Sequence, residues 1–304
     1  MKTSKLFNNK FVIILSILTL SFFIYYIFKN TKLNNKYEGF TQLAPFILKS
    51  NNDIYDSYYA EIYDEIFKPE QRVNYEYKSI INMTEPSKEH SLFLDVGSGT
   101  GHLVNKLSEE GYNAYGIDKS KAMTDISLKK FPNIETKCGN VENPMIYNKN
   151  SFTHITCMDF TIYQIEDKIK FLKNCYNWLM PNGYFIVHLV DKHKYDPIVP
   201  AAKPTLLDNP QKYANQRITD SAIDFGGFKY KNTCNFKNNS VDVIITETFQ
   251  DKTSSNIRQN EITLQMEEIK TLVYLIQRCG FSVKGNSKMM NDENQYIYIF
   301  EKLL

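Results

Sequence analysis

Apolar positions change their spacing along the chain, and each change marks a new kind of segment. From Phe11 to Phe28 the run FVIILSILTLSFFIYYIF holds no charged residue, and Lys10 and Lys29 bracket it. At the helical rise it spans about 27 Å, close to the apolar thickness of a bilayer, so it predicts a transmembrane helix over 11–28 behind a tail of 1–10. A cleavable secretory signal is the competing reading, although Lys29-Asn30-Thr31-Lys32 lacks the small-residue cleavage pattern. Residues 29–52 show no period and read as a linker, interrupted by Pro45.

From residue 53 the pattern is that of a globular domain running to Leu304. Ile54 to Phe67 predicts a helix, and a second follows Pro69, so that 53–90 is a helical segment. Residues 91–191 alternate strands and helices. Strands are predicted at Leu92–Val96, Ala114–Ile117, Thr153–Met158 and Tyr184–Val190. Helices are predicted at Gly101–Glu110, Lys119–Lys130 and Asp167–Met180. The alternation and the near-continuous apolar strands imply an α/β fold with a doubly wound, mostly parallel sheet covered on both faces. Between about 192 and 265 the period becomes two, in Phe228–Phe236, Val241–Phe249 and Ile257–Leu264, which predicts an antiparallel insertion. A helix over Met266–Cys279 and two strands, near Phe281–Val283 and Tyr296–Phe300, close the domain over 266–304.

Charge narrows the partners. The formal net charge is only +2, with lysines and acids interspersed, so no basic stripe marks a nucleic-acid surface. The five cysteines, Cys138, Cys157, Cys175, Cys234 and Cys279, are odd in number and lack metal-ligand spacing. They read as free thiols in a reducing compartment.

The chemistry is concentrated in Leu92-Phe93-Leu94-Asp95-Val96-Gly97-Ser98-Gly99-Thr100-Gly101, which leads from a strand into a helix. Alternate glycines let the backbone turn sharply and approach a ligand, and a helix N-terminus offers free N–H groups. Asp118 ends the next strand, where a carboxylate can accept from ribose hydroxyls. A nicotinamide enzyme would place its third glycine where this chain has His102.

The motif resembles the D-x-G-x-G-x-G element of class I S-adenosylmethionine-dependent methyltransferases. Ile117-Asp118-Lys119-Ser120 resembles that family's acidic ribose motif, and Cys138-Gly139-Asn140-Val141 its adenine segment. Leu179-Met180-Pro181-Asn182-Gly183 is similar to its Leu-Lys-Pro-Gly-Gly turn. The resemblance covers roughly Leu92 to Val190. It implies the seven-stranded class I fold, S-adenosylmethionine as cofactor and methyl transfer as activity. It places Asp95, Gly97, Ser98, Gly99 and Gly101 at the methionine part, Asp118 and Lys119 at the ribose, and Asn140, Val141 and Met123 at the adenine. Met158, with Asp159, would face the methyl group.

The acceptor is less legible. Asp159-Phe160-Thr161-Ile162 lacks the Pro-Pro-aromatic motif of nucleic-acid amino methylation, and Cys157 follows Thr156 rather than a proline. The stretch Tyr59 to Asp64 resembles a lid helix of small-molecule methyltransferases, with Tyr59 and Tyr63 as lid residues. Asp159, Tyr163, His188, Asp191 and His193 are candidates for a general base, and no metal set is discerned. The expectation is methylation of an amino or hydroxyl group of a small molecule by a membrane-tethered enzyme whose catalytic domain faces the cytosol. A membrane lipid acceptor and a non-catalytic cofactor-binding protein are the alternatives, and the antiparallel insertion could form a homodimer.

Overall fold

The structure, a computed structural model, describes residues 12–25, 44–203, 210–237, 240–289 and 292–303. Along the chain, α1 (residues 12–25) and β1 (Phe46–Ser50) precede α2 (Ser57–Phe67) and α3 (Pro69–Thr84). The central segment runs β2 (Leu92–Val96), α4 (His102–Glu109), β3 (Asn113–Asp118), α5 (Lys121–Lys130), β4 (Glu135–Cys138), β5 (Phe152–Cys157), α6 (Thr161–Gln164), α7 (Lys168–Trp178) and β6 (Leu179–Val190). Then come β7 (Asp220–Asp224), β8 (Phe228–Phe236), β9 (Asp242–Asp251), β10 (Ile257–Gln265), α8 (Ile269–Arg278), β11 (Phe281–Met289) and β12 (Asp292–Lys302).

The main sheet has seven strands in the order β11-β12-β6-β5-β2-β3-β4. Strands β2 to β6 are parallel, and β12 joins β6 antiparallel. Chain order reverses at the β5-β2 boundary, and the crevice at such a switch point is where open α/β sheets bind ligands. Residues on each strand alternate between two apolar layers. Leu94 and Val96 join one with α7 and α8, whereas Phe93 joins the other with α3 and α4. Burial on both faces explains why these strands read as continuous apolar runs.

The insertion is a second sheet, β1-β10-β9-β8-β7, larger than the predicted meander. Strand β1 lies in the stretch read as a linker and pairs parallel with β10, from Phe46 opposite Ile257 to Ser50 opposite Glu261. Its Phe46 and Leu48 are 53% exposed, so at this edge the strand buries no apolar face that a sequence pattern could reveal. Residues 29–43 lie outside the described residues.

Buried polar bonds fasten this sheet to α2. The Glu247 carboxylate accepts from Tyr59 Oη at 3.0 Å, Tyr230 Oη at 2.7 Å and Asn260 Nδ2 at 3.1 Å. Arg258 Nε donates to Asn260 Oδ1 at 2.9 Å, and its Nη1 donates to Asp56 at 2.8 and 2.9 Å. Asp56 in turn caps α2 by accepting from the Tyr59 amide. Burial pushes the pKa of Glu247 up, opposed by those three donors.

The membrane expectation is corrected. Helix α1 covers residues 12–25, about 21 Å at the helical rise, against an apolar bilayer core of about 30 Å. Among the described residues no helix is long and apolar enough to cross a membrane. Residues 11 and 26–28 of the predicted span lie outside them. With no spanning helix among the described residues, the single-pass assignment has no support, and neither has the membrane facing that the expected cofactor was taken to set.

All five cysteines are unpaired; Cys157, Cys175 and Cys234 are buried and Cys138 is exposed. The α2 network carries a prediction. Glu247→Ala strands three buried donors and should lower unfolding free energy by about 3 kcal/mol in urea titration, with Glu247→Gln costing less than half of that.

Candidate active site

The bend after β2 is built from backbone bonds. Gly97 and Ser98 amides donate to Ile117 O at 2.8 and 3.1 Å, and the Gly99 amide donates to Asp118 Oδ2 at 2.9 Å. The Ser120 amide donates to Asp118 Oδ1 at 2.8 Å, so one carboxylate ties the ends of β2 and β3 together. Burial raises the Asp118 pKa and the two amides pull it back. Gly97 adopts φ +67°, and a Cβ there would lie 2.6 Å from Thr161. At Gly99, with φ +52°, an added Cβ would meet only Gly97 O at 4.0 Å, so the backbone is open to close approach by a ligand.

A cavity of about 430 Å³ begins at this bend. Of the residues singled out from sequence, Asp95, Gly97, Ser98, Gly99, Asp118, Lys119, Met123, Asn140, Val141 and Met158 line it, as do Tyr63 and Asp159. Gly101 does not; it starts α4 and packs against Ser127 and Ile134. Ser98 Oγ is buried without a hydrogen-bond partner among the described residues.

A second cavity, of about 240 Å³, adjoins the first and shares Tyr55, Tyr63, Arg72, Asp159 and Gln164 with it. Its walls include Tyr59, Phe67, Phe160, Tyr195, Ile198, Val199, Ile245, Ile262 and Leu264, drawn from α2, the turn after β5, the segment after β6 and the second sheet. Asp159 stands at the junction. It accepts from Tyr63 Oη at 3.1 Å and pairs with Arg72. Asp159 and Phe160 both take left-handed backbone conformations, φ +48° and +64°. Such strain costs about 1–3 kcal/mol per residue and concentrates at ligand sites.

The other proposed bases are elsewhere. Tyr163 is buried and its hydroxyl accepts from the Val190 amide, fixing the end of β6. His188 is 1% exposed behind Phe160, outside both cavities, and burial drives its pKa down to about 4. Asp191 accepts from the His193 amide and pairs with Lys194, while His193 is exposed; neither lines a cavity. Tyr59 reaches only the second cavity, and its hydroxyl is taken by Glu247.

Sequence reasoning missed Arg72 and Glu76. Both line the first cavity, and Glu76 is 1% exposed. The signal was available: Pro69, Val73, Glu76, Ile80 and Thr84 form the buried stripe of α3, and a carboxylate within such a stripe is anomalous. It also missed the latch on α2. Asp64 accepts from Thr100 Oγ1 at 2.7 Å, bonds His102 Nε2 at 2.6 Å and pairs with Lys130. Burial alone would raise its pKa, but the hydrogen bonds from His102, Lys130 and Thr100 outweigh that and hold it at about 2.

Two acids in the first cavity shift the other way. Burial raises Glu76 from 4.5 to about 7 against the pull of Arg72, and raises Asp95 from 3.8 to about 7 against a 2.6 Å hydrogen bond from Thr156. The unfolded chain releases these protons near pH 4 while the folded ligand-free protein holds them until about pH 7. Their contribution to stability is therefore full below about pH 4 and lost as pH rises through 7. Chemical denaturation of the ligand-free protein between pH 5 and 7 should show a declining component that Glu76→Gln reduces.

Comparisons with known proteins agree with this geometry. Residues 94–187 match the family model described as a methyltransferase domain. A demethylmenaquinone methyltransferase of Chlorobaculum tepidum is 33% identical over 103 residues, which cover 33% of this chain and 42% of that protein. The matched stretch is less than half the length of such curated relatives. Among solved structures, the CcbJ methyltransferase from Streptomyces caelestis is similar with a TM-score of 0.62 at 14% identity, over 82% of this chain and 98% of that one. The sugar N-methyltransferase KedS8 from Streptoalloteichus has a TM-score of 0.56 at 13% identity, over 78% and 91%. With its sheet order and its glycine bend the chain has the class I methyltransferase fold, within which residues 94–187 match a methyltransferase domain, and S-adenosylmethionine is the cofactor that this match supports.

Proposed function

We propose that the protein moves a methyl group from S-adenosylmethionine to a hydroxyl or amino group of a small-molecule acceptor held in the second cavity. One observation carries this reading: the cavity at the glycine bend adjoins a second, aromatic-walled cavity, and Asp159 lines both. A protein that only bound the cofactor would have no need of the second chamber. The rival lipid acceptor loses the predicted anchor that motivated it.

On this reading Gly97 and Gly99 bring backbone against the methionine part, Asp118 accepts from the ribose, and Met123, Asn140 and Val141 border the adenine. When bound, S-adenosylmethionine supplies a sulfonium methyl that an acceptor lone pair displaces in line, the departing C–S electrons staying on sulfur. The chain's part is alignment and exclusion of water. Tyr63 and Arg72 fix the Asp159 carboxylate at the neck, where it can accept the acceptor's proton. The second cavity is lined by Tyr59, Phe160, Tyr195, Ile245, Ile262 and Leu264 together with Asp196, Lys203, Asn232, Asp292 and Gln295, a surface that suits a ring carrying polar substituents. Quinone and sugar acceptors are both named among proteins similar to this one.

Incubation with cofactor carrying a labelled methyl group and fractionated small molecules should label an acceptor, and Gly97→Asp should not. A wild-type protein that binds the cofactor but labels nothing overturns the reading. Asp159→Asn should lower turnover about a hundredfold. Ile245→Trp, which fills the second cavity, should abolish transfer while leaving the cofactor affinity of the wild type.

A further inference from the structure

Glu76 is the least satisfied charged group in the site. It projects from the buried stripe of α3, is 1% exposed, and lines the first cavity with Gly97 and Ser98. Neither of its carboxylate oxygens has a hydrogen-bond partner among the described residues. Arg72 Nε lies 3.1 Å from Oε1 but without hydrogen-bond geometry, and the same guanidinium is engaged by Asp159 through Nη1. The charged groups that face Glu76 are Arg72 on its own helix, Asp159 after β5 and Asp95 on β2. Three carboxylates thus share one cation. A buried carboxylate left in that condition is costly unless a cation with N–H donors reaches it.

We propose that Glu76 receives the α-ammonium group of the cofactor's amino-acid end, accepting its N–H donors with both orphaned oxygens. The inference rests on the cofactor reading above and adds a binding residue outside the glycine motif. A primary ammonium is the fitting chemistry: it offers three donors and one positive charge within the reach of two oxygens. Burial holds a proton on Glu76 up to about pH 7 in the ligand-free protein, so ammonium binding near neutrality displaces it.

The test is calorimetry on the full chain with three probes: S-adenosylmethionine, S-adenosylhomocysteine and 5′-methylthioadenosine. The first two share the ammonium group, only the first is a sulfonium, and the third has no amino-acid portion. Glu76→Gln should weaken the first two alike, by about tenfold or more, and leave the third within twofold of wild type. Loss confined to the sulfonium compound overturns the assignment, as does an equal loss for all three probes or no loss for any. Should the variant not fold, the wild type decides. In buffers of different ionisation enthalpy at pH 7, the two amino-acid-bearing probes should release protons that methylthioadenosine does not. Equal release by all three overturns the proposal. A wild type that binds none of them overturns the cofactor reading as well, whereas wild-type binding with an indifferent variant removes only the role of Glu76.

Discussion

A carboxylate withdrawn from water must meet a cation or keep its proton, and the carboxyl ends of β2 and β5 are organised by that constraint. Glu76, Asp95 and Asp159 gather there around Arg72. Asp159 pairs with Arg72 Nη1 and accepts from a tyrosine hydroxyl besides, at the neck between the two cavities. Asp95 has one hydrogen bond from Thr156, and Glu76 has none. The three acids are chemically alike and differ in what surrounds them: one is fixed at the neck by two partners, and burial raises the pKa of the other two.

Helix α2 relates the two sheets to that cluster. Its first turn is capped by Asp56, which Arg258 of the second sheet holds, and Tyr59 donates to buried Glu247. Its last turn is held by Asp64 against Thr100 and His102, just beyond the glycine bend. Between these attachments Tyr63 reaches Asp159. Fixed at both ends by buried or half-buried polar bonds, the helix forms a shared wall of both cavities. The second sheet therefore does more than decorate the domain, since β8, β9 and β10 supply part of the wall of the second cavity.

The wall chemistry and the polar neck suggest a division of labour in recognition. Aromatic and aliphatic side chains can enclose a ring and exclude water but discriminate weakly between rings of similar size. On the proposed function, selectivity for the atom to be methylated falls to Asp159 and its partners, which lie where the two cavities adjoin. The left-handed backbone at Asp159 and Phe160 aims one side chain at the neck and sets the other into the wall of the second cavity.

The glycine bend, Asp118 at the end of the second parallel strand, and the alternating elements from Leu92 to Val190 were legible in sequence because each is local. A tight turn needs glycine, a doubly buried strand needs a run of apolar residues, and a helix shows its face every third or fourth position. Within that stretch edge strand β4 was not legible, and neither were edge strands β1 and β7, because edge strands that bury little impose no pattern. The apolar run from Phe11 announced hydrophobicity, and among the described residues its helix covers 12–25. Packing alone decided which polar residues act together. Of five candidate bases, one is at the cavities and the rest serve the scaffold or face outward, because a side chain's neighbours across elements are not encoded in spacing along the chain. Arg72, Glu76 and Asp159 lie far apart in sequence from Asp95, and only the fold of α3 over the switch point of the sheet makes them one site.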